Sequence, residues 1–181
     1  ASWVGLGWSV TTGGAITRTL RGREDESSIG YMNTPHRNSF DVKDFKDYSF
    51  LVYAKNKRGD SEPDIFSFQF LNYSGKFMYD QESEKFICIP YENFNISFTK
   101  EGEDITEFTI ITSDGIKAEF GIPQRTSTEF TPTLVQHISY NFNSVYYLKK
   151  ISTANQKNTV TFEYKTLQRD YSEKRISQSH R

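Results

Sequence analysis

From residue 64 to residue 165 the chain alternates apolar and polar residues in short runs, and nearly every run stops at a turn signal. Phe66, Phe68 and Phe70 alternate with Ile65, Ser67 and Gln69. A period of two puts one set of side chains on each face of a pleated strand. The residues Asn72-Tyr73-Ser74-Gly75 read as a hairpin turn, with the chain returning over 76–79. Further strands are predicted over 86–89, 96–100, 105–112, 116–122, 146–153 and 159–165. The link Ser113-Asp114-Gly115 joins two of them, because Asp-Gly tolerates positive φ. The residues Ala154-Asn-Gln-Lys-Asn158 join the last pair. The expected fold is mostly β: an antiparallel sheet of consecutive hairpins, with one short helix near 41–56.

The start of the chain shows the same period. Trp3, Gly5, Gly7 and Ser9 alternate with Val4, Leu6, Trp8 and Val10. A turn containing Gly13 and Gly14 leads into a second run over 15–20. Glycine inside a strand weakens it unless another group lies close against that face. Gly5 and Gly7 beside Trp3 and Trp8 therefore suggest an architectural anchor that seats a first hairpin. Residues 21–40 have no apolar period and read as an exposed, mobile loop. Over 41–56, Asp41 can cap a helix whose apolar face carries Val42, Phe45 and Val52. Two short strands are the alternative, since 48–53 is also β-prone. Residues 1–165 are expected to form one module, and 166–181 a frayed polar tail.

The core must be aromatic. Hydrophobic residues make up only 35% of the 181, but there are 15 Phe, 11 Tyr and 2 Trp. Aromatic rings bury large areas each and favour strands. The net charge of −1 comes without a basic stripe. Nucleic acid is therefore not an expected partner, and nothing suggests attraction to an anionic membrane. No stretch approaches the ~20 apolar residues of a membrane helix, so no direct membrane insertion is expected. The chain opens without Met or a leader pattern, which suggests a segment excised from a longer parent. Its single cysteine, Cys88, lies in an apolar run and reads as a small buried hydrophobe.

Chemistry-bearing motifs are sparse. His36, His137 and His180 lack ligand spacing, and neither a phosphate loop nor a nucleophile elbow is present. No cofactor is expected. The run Asp60-Ser-Glu62-Pro63-Asp64 offers alternating carboxylates that could hold a cation such as calcium through oxygen. It reads more simply as a capped turn, with Pro63 fixing the backbone ahead of the next strand. Exposed aromatics could stack on sugars, although period two assigns most of them to the core.

The order of several motifs carries a resemblance. Ala1-Ser-Trp-Val-Gly-Leu-Gly-Trp-Ser9, Gly13-Gly-Ala-Ile-Thr-Arg18, Glu62-Pro-Asp-Ile-Phe-Ser-Phe68, Tyr73-Ser-Gly-Lys-Phe77, Phe108-Thr-Ile-Ile-Thr-Ser-Asp-Gly115 and Thr159-Val-Thr-Phe-Glu-Tyr164 occur in turn. Together they resemble the segment N-terminal to the repeats of bacterial Rhs/YD-repeat proteins. The opening is similar to SpvB-like regions of Tc-toxin B components. The resemblance implies a large secreted or surface-displayed bacterial parent whose downstream YD repeats wind a sheet into a shell around a C-terminal effector. It implies no catalytic residues for this stretch. Under it the chain is a non-catalytic structural module, whose sheet carries large residues on both faces and whose open edges could pair with a second copy. A module that binds glycans or a target-cell surface is the rival reading, and an enzyme comes third.

Overall fold

The computed structural model describes residues 13–34, 43–55, 60–133 and 136–165. The motif residues Trp3, Gly5, Gly7 and Trp8 and the tail 166–181 lie outside them. Nine strands form one antiparallel sheet: β1 (Gly14–Thr19), β2 (Ile65–Phe70), β3 (Tyr73–Asp80), β4 (Lys85–Ile89), β5 (Asn95–Glu101), β6 (Asp104–Ile111), β7 (Lys117–Thr133), β8 (Gln136–Ser152) and β9 (Thr159–Thr161). Their order is β4-β3-β2-β1-β8-β7-β6-β5, with β9 also paired to β8. Two local meanders, β2–β4 and β5–β8, are thus sewn together through β1, whose Ile16 lies opposite both Phe68 and Tyr146. The sheet curls until its outer strands β4 and β5 face each other, where the Phe86 and Phe98 rings meet edge to face at 5.3 Å. The result is a nearly closed barrel.

Alternation explains what the barrel holds. Ile16, Phe66, Phe68, Phe70, Phe77, Phe108, Phe120 and Tyr146 point inward and are buried. Phe66 sits at the hub, stacked on Phe77 at 5.2 Å and edge-on to Phe86 and Phe108. Glycine is needed where these rings press on backbone. A Cβ on Gly75 would lie 2.9 Å from the Phe68 ring, and one on Gly14 would lie 2.7 Å from the Gln69 carbonyl oxygen. Such close approach occurs at Gly14 and Gly75, whereas Gly5 and Gly7, for which it was expected, lie outside the described residues. The outward set on β1–β3 is mostly polar, with Thr17, Ser67, Gln69, Ser74 and Lys76, and its large members are aliphatic rather than aromatic, Ile65 and Met78.

Several boundaries also differ from expectation. The hairpin between β2 and β3 turns at Leu71-Asn72, with Leu71 at φ 49°. Tyr73, Ser74 and Gly75 already pair with β2, so they are strand rather than turn. The helix α1 runs Phe45–Lys55 and is capped by Asp44, whose Oδ1 accepts from Lys46 N–H at 2.7 Å. Asp41 lies outside the described residues. The face expected to be buried is open, with Phe45 81%, Tyr48 56% and Val52 39% exposed. Residues 123–145, given no structure from sequence, belong largely to the two longest strands. Residues 125–133 of β7 and 136–143 of β8 pair only with each other among the described residues, forming a two-stranded ribbon beyond the sheet.

Candidate functional site

The most unusual chemistry in the molecule is a set of charged side chains with almost no access to water. β1 places Arg18 two residues after Ile16, hence on the same inward face. The guanidinium donates from Nε to Asp64 Oδ2 at 2.7 Å. It also grips Glu26 with two bonds, Nη1 to Oε1 at 2.8 Å and Nη2 to Oε2 at 2.6 Å. Its plane lies over the Phe66 ring, 5.2 Å from the centroid. This forked geometry is the strong form of the arginine–carboxylate pair.

Each carboxylate also holds backbone. Asp64 Oδ1 accepts from Arg21 N–H at 2.6 Å, and Glu26 Oε1 accepts from Ile105 N–H at 3.3 Å. Asp25, fully buried, accepts the Asp64 N–H through both oxygens at 3.0 and 3.1 Å. The segment from Arg21 to Thr34 is therefore clamped into the barrel. Its Glu24, Asp25 and Glu26 are buried, which corrects the reading of this stretch as an exposed loop. Charged residues looked like solvent-facing ones in sequence, but here Glu26 pairs with a buried cation and Asp25 with a buried backbone N–H.

The carboxylates proposed for a cation are dispersed by the same contacts. Asp64 is bound to Arg18. Asp60 caps backbone, accepting from Arg23 N–H at 2.9 Å and Glu62 N–H at 3.2 Å. Glu62 is exposed and pairs with Arg21 at 3.2 Å. The three do not converge, and among the described residues no group of three or more His, Cys, Asp or Glu could hold a metal ion. The capped-turn reading of 60–64 fits these bonds, with Pro63 half-buried just before Asp64. Gly13 and Gly115 take φ of 90° and 83°, as turn glycines do. Asp114 accepts the Tyr73 hydroxyl at 2.6 Å, and its bonds to Thr112 and Tyr73 hold its carboxyl below the usual range. Cys88 is buried, and burial pushes its thiol up to about 11, which leaves it unreactive.

Burial also sets the protonation of the clamp. Desolvation and the neighbouring Asp64 push Asp25 up to about 8. Asp64 is raised by desolvation to about 6 but held down by Arg18. Near pH 7 Asp64 therefore faces the Arg18 cation, while Asp25 keeps its proton. Because the folded carboxyls bind protons more tightly than unfolded ones, these groups stabilise the fold at low pH. That contribution is lost as pH rises from about 4 to about 8. The urea midpoint should accordingly be higher at pH 5.5 than at pH 8.5, and Asp25→Asn should flatten the difference. A variant as pH-sensitive as the parent would show that Asp25 does not carry the proton.

With this geometry in view, comparisons against protein-family models, curated proteins and solved structures give no match. Among the described residues no helix is long and apolar enough to cross a membrane.

Proposed function

We propose that the chain is a non-catalytic structural β-sheet module of a large secreted or surface protein of the Rhs/YD-repeat type. In this reading it contributes wall to a shell that encloses or displays a C-terminal effector, and its natural partner is the rest of its own parent chain. The observation that carries the reading is the β7–β8 ribbon. In this reading its outer reach, which pairs with no third strand among the described residues, offers two edges of backbone donors and acceptors. Such edges suit a sheet that is continued by further strands. The ordered opening motifs and the inward commitment of the buried charges to structural bonds support the same reading.

The open edges supply the test. The 181-residue chain should associate with increasing concentration in light scattering. A variant in which residues 128–140 are replaced by Asp-Gly joins the paired Ser127 and Asn141 by a two-residue turn. It should remain monomeric with the circular dichroism spectrum of a folded β protein. A parent chain that stays monomeric at every concentration, with ribbon amides that exchange freely, would overturn the proposal.

A further inference from the structure

The outer face of β1–β3 carries a feature that a wall does not require. Cross-strand register sets two parallel rows there. One runs Tyr147, Ala15, Gln69, Ser74, and the next runs Thr17, Ser67, Lys76. The rows border an open trough of about 750 Å³. At its β8 end Tyr147 and Tyr164 lie together, with ring centroids 5.2 Å apart and planes tilted by 36°. Their hydroxyls are tied back, Tyr147 to Gln124 Oε1 and Tyr164 to the Leu148 carbonyl, both at 2.9 Å. The rings are therefore fixed, while Tyr164 remains 41% exposed. Gln69 and Ser74 stand exposed beside them, and Lys76 supplies the one charge in the lining.

We propose that this trough binds a pyranose oligosaccharide, with an acidic group of the glycan directed to Lys76. A pyranose ring has one face of polarised C–H bonds, which complements the negative face of an aromatic ring. Its rim of hydroxyls needs groups that both donate and accept, as Ser, Thr and Gln do. Strand spacing of ~4.8 Å and same-face spacing of ~6.8 Å along a strand place such groups on the scale of one sugar ring. A peptide strand would instead require free backbone edges, and β1, β2 and β3 each have neighbours on both sides. The inference is independent of the ribbon and of the shell reading.

Titration calorimetry of the full chain with tetragalacturonate and, separately, cellotetraose tests it. Binding of the acidic tetrasaccharide is expected, with a weaker response to the neutral one. Lys76→Gln should remove that difference. Tyr164→Ala should weaken binding at least tenfold. Gln69→Ala, at an exposed position, should weaken it severalfold without a change in Tm, which separates ligand loss from misfolding. No heat with either sugar at millimolar concentration would overturn the proposal, as would affinity unchanged in both Tyr164→Ala and Gln69→Ala. Equal affinity for the two sugars would overturn the role given to Lys76.

Discussion

Replacing Arg18 with Ala is expected to destabilise the protein by about 3–5 kcal/mol, the cost typical of breaking a buried ion pair by removing one partner. The guanidinium is bonded to two carboxylates, and its side chain is fully buried. Without it the buried carboxyl groups of Glu26 and Asp64 lose the cation that both of them face. Arg18→Lys should not restore the fold, because a single ammonium cannot reproduce the fork toward Glu26 while also reaching Asp64. Arg18→Met combined with Glu26→Gln should recover part of the loss, since the second change removes one uncompensated charge. Urea unfolding of the four proteins gives the comparison. A loss below 1 kcal/mol for Arg18→Ala would mean that the clamp is open to water.

Phe66→Ala should cost a similar amount, about 3–5 kcal/mol, by emptying the hub of the barrel. Its ring meets those of Phe77, Phe86 and Phe108 and forms the surface under the Arg18 guanidinium. The variant therefore loses transfer energy, aromatic contacts and the support of the ion cluster at once. Phe66→Leu should keep most of the volume and recover more than half of the loss. Thermal or urea unfolding reads both. If alanine cost no more than leucine, the inner rings would have to repack around the vacancy. The two sites touch, so the double variant should be less destabilised than the sum of the singles.

Much of the sheet was legible because period two is a strong signal wherever one face is buried. Phe66, Phe68 and Phe70 announced both the strand and its inward side. The Asp114-Gly115 turn was legible for a local reason: Gly115 takes positive φ there. The β7 half of the ribbon was not legible, because residues 124–127 are exposed and none is apolar; the β8 half did carry alternation at Ile138, Tyr140 and Phe142, which was overlooked. The clamp joins Arg18, Glu26 and Asp64 from separate stretches, which no spacing rule could connect. A clue was nevertheless present, since Arg18 shares its phase with Ile16 and had to go inward. The trough left a similar trace in the small polar residues that share a phase on β1, β2 and β3. The helix start was missed by one turn because Asp41 and Asp44 offer the same capping group.

The stitch between β1 and β8 also bears on how the barrel can come into being. Its partners are roughly 130 positions apart, whereas most other strand pairs form between neighbours, so closure carries the slow, entropy-limited part of folding. A nascent or translocating chain can lay down β2, β3 and β4 early. The Phe-rich face of that half-sheet must then wait, uncovered, for the second half to arrive. Maturation of the barrel is thereby tied to the emergence of β8, and a product interrupted before it would be a sticky open sheet.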